Sequence, residues 1–526
     1  MDFASDTAPY FKRGKCVLKK AIEQWDQKKD FLNVSVLLML AFCIGVYLII
    51  TTALISKDGI TFIKYGQQIK AKTVDTKINT DQHPGYPWLI LTAHKTTGFL
   101  HKNTPIMSWI YCAQSVTLIF RLFSIVILYF IAKQLFGARM SFWSILILIL
   151  LPKPAEYGSD ALSDWPHLFF LLTSFLLLLK GATNKRWWLF GLSALAAGAG
   201  YLIRPESAQL IVLGCLWLGL QLLLPGRTMG KIKALSALAL LFAGFLTFAW
   251  PYMNLKGAVF PKKNVGQFTS SSQKLKNHSK KNLTVSKSKS TFQFAPLRIT
   301  KAFGKIVANI GETLMWFFVP ALLIGMYKKF KVQKWYEPEK FLIIAIIILN
   351  IPVMIWLNCN HGYMSDRHTL PLLILPILYI PVGLQELATW LQKQFPIKIK
   401  SSATINFNER FWFLILFLIG VSICSPKLLR PIRFEKQGFR AAAQWIKDNT
   451  DSNAIIAVPD KRISFYAGRK ELFYKNKNIP KRAEYIVEIY KKKTNKLTPA
   501  NPSDKLVFEY NDKRKRVINT AIYRRL

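Results

Sequence analysis

Apolar residues along this chain gather into long runs and do not alternate with polar ones. Val34 to Ile55 contains no charged residue, and at ~1.5 Å rise per residue such a run crosses a hydrocarbon core of ~30 Å as a helix. Comparable runs predict spans near 32–55, 108–132, 138–152, 165–180, 186–203, 206–224, 232–252, 308–327, 340–358, 369–388 and 410–426. The segment between the first two spans, about 56–107, is too long and too aromatic for a simple connection. Within it, Ile60, Ile63 and Ile69 follow Asp58 at near-helical spacing and predict a short amphipathic helix along the interface. From about 427 the chain turns polar. Arg440 to Lys447 reads as a helix, Ala454 to Val458 as a strand, and Lys505 to Tyr510 with Arg516 to Tyr523 as a hairpin. The pattern gives an all-α polytopic membrane protein of about eleven transmembrane helices with a small external α/β C-terminal domain. Its expected divisions are a cytoplasmic segment 1–31, a membrane domain 32–426 with external loops 56–107 and 253–307, and an external domain 427–526.

Composition narrows this picture. Over 526 residues, 51% hydrophobic content and a mean hydropathy of +0.22 exclude a chain of soluble domains. A formal charge of +44 would point to nucleic acid in a soluble protein. In a membrane chain the same residues sit at span ends, meet anionic lipid headgroups and set orientation, so membrane lipids are expected partners and nucleic acid is not. With the N-terminus inside, Lys133/Arg139, Lys180/Lys185/Arg186, Arg227/Lys231/Lys233, Lys328/Lys329/Lys331/Lys334 and Lys393/Lys398/Lys400 fall in cytoplasmic loops. The opposite short loops then hold Lys153, Arg204 and Arg367, which is the expected asymmetry. Loop 253–307 departs from it, with twelve Lys or Arg on the external side; it reads either as a solvated linker or as a basic lid over an anionic substrate. The cysteines, Cys16, Cys43, Cys112, Cys215, Cys359 and Cys424, form neither a disulfide framework nor a metal-ligand spacing. About thirty polar residues precede the first span, which reads as its own signal anchor.

Charged residues at span mouths are the informative ones, because placing them against lipid is expensive and marks pathways and sites. Asp58, just beyond span one, suits a base for an incoming hydroxyl or a ligand for a divalent cation; alternatively Ser56 or Asp58 merely caps the next helix. In Tyr157-Gly158-Ser159-Asp160-Ala161-Leu162-Ser163-Asp164-Trp165-Pro166, a helix starting early puts Asp160 and Asp164 one turn apart on one face, suited to a metal or an acceptor; the alternative is again capping by Ser163 or Asp164. Arg204, in Arg204-Pro205-Glu206, and Arg367, in Ser365-Asp366-Arg367-His368, suit a lipid-linked phosphate, or else pair locally with Glu206 and Asp366. Asp81-Gln82-His83-Pro84-Gly85-Tyr86-Pro87 reads as a turn that positions His83 and Tyr86 toward substrate, or as a purely structural one.

In this order these residues resemble the polytopic glycosyltransferases of the C-type (GT-C) fold, in the branch related to protein O-mannosyltransferases and lipid A aminoarabinose transferases. The likeness lies in Asp58 after span one, His83 to Pro87 before span two, Ser163-Asp164 before span four, Arg204 to Glu206 after span five, and the tail segments Ala441 to Trp445, Ala454 to Asp460 and Phe465 to Arg469. The resemblance implies a polyprenyl- or dolichyl-phosphate sugar as donor and a single displacement with inversion. It implies Asp58 as base, Asp164 or Asp160 as a second carboxylate for the acceptor or a divalent cation, and Arg204 and Arg367 as partners of the donor phosphate. Glu206, His83, Tyr86 and Tyr157 are candidate substrate contacts. Many relatives carry Asp-Glu after span one where this chain has Asp58-Gly59, which favours a lipid or glycan acceptor over protein.

Two other classes stand against this expectation. A lipid or polysaccharide transporter would be equally polytopic and basic, but it favours internal repeats and charges at midplane depth, and here Arg121 is the main charge of that kind. A membrane scaffold with an external binding tail predicts that Asp58 and Asp164 are replaceable. The tail pattern and the lack of an endoplasmic-reticulum retrieval signal place the expected location in a bacterial inner membrane, with the tail periplasmic.

Overall fold

The computed structural model describes residues 8–71, 82–97, 105–223, 229–257, 296–361, 364–395, 409–474, 479–490, 504–511 and 517–525. Among them, seven helices are long and apolar enough to cross a membrane, two bent helix pairs raise the number to nine, and the shorter apolar helices Ala138–Leu150 and Trp188–Tyr201 add two more. Every apolar run read from the sequence thus falls on a helix. In chain order the elements are α1 (Ala8–Thr51), α2 (Lys57–Lys70), α3 (Gly85–Thr97), α4 (Pro105–Phe136), α5 (Ala138–Leu150), α6 (Pro152–Tyr157), α7 (Asp164–Thr183), α8 (Trp188–Tyr201), α9 (Gln209–Leu223), α10 (Lys231–Lys256), α11 (Pro296–Thr313), α12 (Phe318–Val332), α13 (Pro338–His361), α14 (Leu370–Leu373), α15 (Ile380–Gln394) and α16 (Glu409–Leu428). Exposed apolar side chains such as Met39, Ile50, Leu223 and Leu323 face outward from the bundle, where lipid takes the place of a core partner. α8 and α10 pack at backbone distance: a Cβ on Gly244 would lie 2.6 Å from the Gly191 carbonyl oxygen, and one on Gly198 2.7 Å from that of Phe245. Small residues permit this approach, and it fixes the helix that ends just before Arg204.

Several elements differ from the sequence reading. The run 308–327 is not one straight span, since α11 and α12 meet at 103°. Met315 and Trp316 take left-handed φ of 56° and 59° at the break, and the Trp316 amide donates to the Gly311 carbonyl at 2.6 Å. Residues 253–256 complete α10 and 296–307 lie in α11; most of the basic loop, 258–295, lies outside the described residues, as do Asp81, Arg227, Lys398 and Lys400. The run 369–388 is bent by 55°, with prolines at Pro371, Pro376 and Pro381, each removing an amide donor. His83 to Pro87 is more than a turn, because α3 starts at Gly85.

The expected amphipathic helix is α2, with Ile60 and Ile63 buried. After α16 come α17 (Gln437–Asn449), β1 (Ile455–Val458), α18 (Lys461–Ala467), β2 (Lys470–Phe473), β3 (Tyr485–Tyr490), β4 (Lys505–Tyr510) and β5 (Asn519–Arg524). The sheet runs β2-β1-β3-β5-β4, parallel across β2-β1-β3 and antiparallel beyond, so the predicted hairpin is the β4–β5 pair. This small α/β unit does not stand apart. Phe439, Ala443, Ile456, Val458 and Val487 belong to the same apolar cluster as Ile60 and Ile63 of α2, Tyr86 and Ile90 of α3 and Trp109 of α4. Burial of that shared surface seats the tail on one end of the bundle.

Candidate active site

The site is built outward from the start of α2. Ser56 is extended, with φ −62° and ψ 158°, and its hydroxyl oxygen accepts from the Gly59 amide at 2.9 Å. Ser56 is therefore the cap, which leaves Asp58 in the first turn, where the helix dipole favours a carboxylate. Asp58 Oδ2 pairs with Arg367 Nη2, although the two are 309 positions apart. Arg367 lies in a short 3-10 turn, Asp366–Thr369, whose Asp366 pairs with Lys153.

Arg367 also reaches Asp164, with Nη1 at 3.7 Å from Oδ2, and Arg204 Nη1 donates to Asp164 Oδ1 at 2.8 Å. Asp164 opens α7 with its side chain 2% exposed, and neither it nor Ser163 caps the helix through a side chain. Arg204 is extended, with φ −149° and ψ 135°, ahead of Pro205, as a residue before proline is required to be. Asp58, Arg367, Asp164 and Arg204 thus form a continuous chain of alternating charge, drawn from four separate segments. The local pairs considered from sequence do not form: Arg204 takes Asp164 in place of Glu206, and Arg367 takes Asp58 and Asp164 in place of Asp366. His368 interacts electrostatically with Asp164, Arg204 and Glu206. Sequence reading passed over it, although it sits beside Arg367.

Asp160 does not share a helix face with Asp164. Residues 158–163 form a turn and the helix begins only at Asp164. Asp160 is fully buried; it accepts from the Ser56 amide at 3.1 Å, the Ala161 amide at 2.8 Å and Arg433 Nη2 at 2.7 Å. Arg433 donates also to the Leu54 carbonyl, at 3.1 Å, and holds a left-handed φ of 53°. Burial alone would lower the Arg433 pKa; the charge of Asp160 and the bond to it raise it. Asp160 is therefore a strut that fixes the Ser56 cap, and so the position of Asp58. Arg433, which the sequence reading did not single out, completes the strut. The tail adds a further tie, because the Ile55 amide donates to the Tyr466 hydroxyl at 3.0 Å.

His83 and Tyr86 are built into the wall. His83 is 2% exposed, its Nδ1 lies 2.8 Å from the Tyr201 carbonyl, and its ring packs on Tyr201 and Tyr252. Fully buried Tyr86 donates to the Ala113 carbonyl at 3.0 Å and bonds Thr117. Burial and these hydrogen bonds hold both side chains in place within the wall. Gly85 ties the same wall to the Arg204 turn, its amide donating to the Leu202 carbonyl at 2.8 Å. Burial first, then the charges of Asp366, Glu156 and Asp164, push the Tyr157 phenol upward, against the opposing charge of Arg367.

A cavity of about 540 Å3 opens beside Asp58 between α2 and the tail, lined by Lys57, Asp58, Lys64, Tyr65, Lys461, Arg462 and Phe473 among others. Gly59 explains the missing second acid: a Cβ there would meet both the Cβ and the carbonyl oxygen of Ala161 at 2.8 Å. As for a metal, Asp58 and Asp164 both face Arg367, and among the described residues no group of three His, Cys, Asp or Glu is placed to hold one. A cation on this pair would have to displace a guanidinium, so the donor set does not fit one.

Residues 81–250 match the family model of dolichyl-phosphate-mannose-protein mannosyltransferases. No curated protein matches the chain by sequence. Among solved structures, the chain is similar to ArnT from Cupriavidus metallidurans in the apo state, at 15% identity and TM-score 0.53, over 95% of this chain and 98% of that one. It is similar to the same protein bound to undecaprenyl phosphate, at 16% identity and TM-score 0.51, over 94% and 97%. It is also similar to the Archaeoglobus fulgidus oligosaccharyltransferase tethered to an acceptor peptide containing the NVT sequon, at 11% identity and TM-score 0.53, over 87% and 69%. With eleven apolar helical segments among the described residues, a seated α/β tail and this likeness along almost its whole length, the chain is a multi-pass membrane protein of the C-type glycosyltransferase fold.

Proposed function

We propose that this chain transfers a sugar from a polyprenyl-phosphate carrier to an acceptor hydroxyl, with inversion, on the non-cytoplasmic face of the membrane. The observation that carries the reading is the chain of charges Asp58–Arg367–Asp164–Arg204 at the end of the bundle that bears the tail. The reported binding of undecaprenyl phosphate by ArnT, a protein of the same fold, supports the choice of donor. Asp164 holds both guanidinium groups in place as a positioning residue. A guanidinium carries five N–H donors, so Arg204 and Arg367 retain donors for a phosphate while bonded to Asp164. On donor binding, Arg367 turns from Asp58 to the phosphate and releases the carboxylate. The acceptor oxygen then attacks the anomeric carbon as its proton passes to Asp58. The bond from that carbon to the phosphate oxygen breaks, and the departing phosphate keeps the electron pair, stabilised by the two guanidinium groups. No step runs through a metal.

The test is purified protein with a panel of radiolabelled polyprenyl-phosphate sugars. The expected result is a labelled product that no longer extracts with the carrier. Carrier that crosses a vesicle bilayer with its label intact would replace this reading with transport, and neither outcome would leave a scaffold.

A further inference from the structure

Arg433 also lines a second, smaller pocket of about 250 Å3, set between Leu48 of α1, Glu156 of α6, the end of α16 and the turn that follows it. Four further charged residues line it: the carboxylates Glu156 and Glu435 and the cations Lys427 and Arg430. Among the described residues, none of these four side chains makes an ion pair or a hydrogen bond. Arg430 lies over the Phe434 ring at 5.9 Å, which orients the guanidinium and leaves its charge unmatched. Glu156 is half-buried. The cations whose charge reaches it are committed elsewhere, Arg433 to Asp160 and Lys153 to Glu312 and Asp366. Burial first, then the charges of Asp160 and Glu435, raise its pKa against those cations, a shift that a neighbouring ammonium would reverse.

α16 supplies an apolar approach to this pocket. Ile415, Leu418, Ile419, Ser422 and Ile423 line a groove of about 480 Å3, and their spacing puts them on one helix face. Lys427 and Arg430 continue that face one and two turns beyond Ile423. From Ile415 to Ile423 the helix rises ~12 Å, which fits within the ~15 Å of hydrocarbon in one leaflet. At about 250 Å3 the polar pocket falls below the ~300–1,000 Å3 usual for a whole small ligand; it suits a headgroup whose chains lie outside it.

We propose that pocket and groove together hold one phosphatidylethanolamine molecule, at the end of the bundle that bears the tail. Its ammonium takes Glu156 and Glu435, its phosphate takes Lys427 and Arg430, and an acyl chain lies along α16. The charge pattern selects among lipids. An anionic headgroup leaves both carboxylates unmatched, and a choline headgroup has no N–H to donate, whereas a primary ammonium has three. Arg430 and Glu435 stand on either side of Arg433 in the chain, so the bound lipid clamps the segment that carries the Arg433–Asp160 strut. The site does not depend on the transferase reading.

The experiment titrates the detergent-purified full chain, by calorimetry, with short-chain phosphatidylethanolamine, phosphatidylcholine and phosphatidylglycerol. Phosphatidylethanolamine is expected to bind roughly tenfold tighter than either of the others. Lys427→Glu, at an exposed position, should weaken it roughly tenfold, Lys427→Arg should retain it, and Glu156→Gln should narrow its lead over phosphatidylcholine. Saturating phosphatidylethanolamine should raise the unfolding temperature of the wild type and not that of Lys427→Glu. Equal affinity for the three lipids would reduce the site to unselective lipid contact and overturn the proposal. Tighter binding of phosphatidylglycerol would overturn it in favour of an anionic lipid, and a preference for phosphatidylethanolamine that survives Lys427→Glu would place the binding elsewhere.

Discussion

Replacing Asp58 by Asn separates a chemical role from a structural one. The substitution removes the proposed base and keeps the shape, and the cap of α2 is untouched because Ser56 provides it. Loss of a general base costs about 10²–10⁴ in rate, or about 2.7–5.4 kcal/mol on the barrier. The same change removes the partner that Arg367 must leave before it can take the donor phosphate. That pair is half exposed, with side-chain exposures of 46% for Asp58 and 19% for Arg367, so its contribution is only ~0.2–1 kcal/mol. Donor affinity should therefore rise by about 1.4- to 5-fold while turnover collapses. Equilibrium binding of a radiolabelled polyprenyl-phosphate sugar gives the affinity, and single-turnover transfer from the same donor gives the rate. A fall in kcat of less than tenfold, or a loss confined to donor KM, would refute the assignment of Asp58 as base.

Three further outcomes follow from neighbouring geometry. Asp160→Asn leaves Arg433 without its buried counter-charge and should destabilise the protein by about 3–5 kcal/mol, seen as a lower unfolding temperature in detergent; adding Arg433→Gln should restore part of the loss, and strict additivity of the two changes would argue against the strut. Gly59→Ala drives a Cβ to 2.8 Å from Ala161, an overpacking worth about 1–3 kcal/mol, and should depress both transfer and melting temperature, whereas Gly219→Ala, where a Cβ meets nothing within 4 Å, should leave both intact. Burial of Asp460 would raise its pKa, but its bonds to Arg462 and the charges of Arg462 and Lys57 hold it below the ordinary 3.8. Its contribution is thus complete above that value and disappears as pH falls through the lower folded value, so Asp460→Asn should flatten this acid limb of the melting-temperature profile, and an unchanged limb would count against the pairing.

The parts legible in the sequence were those that lipid dictates. Charge-free runs have one cheap conformation in hydrocarbon, which is why each of the eleven runs lies on a helix. The mouths of those helices marked Asp58, Asp164, Arg204 and Arg367 for the same reason. The break at Leu314–Phe317 was hidden because hydropathy is continuous through it, and a window average ignores a backbone turn. The bend after Asp366 was signalled by its prolines, yet an apolar average masks them too. Spacing misled at Asp160, because four residues imply one helix face only if the helix has already begun. Its partner Arg433, 273 positions away, has no local signature. Local charge neighbours also misled: Glu206 and Asp366 are adjacent in sequence, while the ion pairs that form are set by tertiary folding.

Arg433 follows α16, the last helix of the bundle, so during synthesis it emerges after Asp58, Asp160, Asp164, Arg204 and Arg367. Until then Asp160 is a buried carboxylate without a counter-charge, and the turn that seats α2 has no fastening. A nascent chain stalled before residue 433 would hold the candidate spans among the described residues and still lack the fastening of the Asp58 turn. The seating of the site is thereby tied to the completion of membrane insertion, with the C-terminal segment acting as the final clasp of assembly.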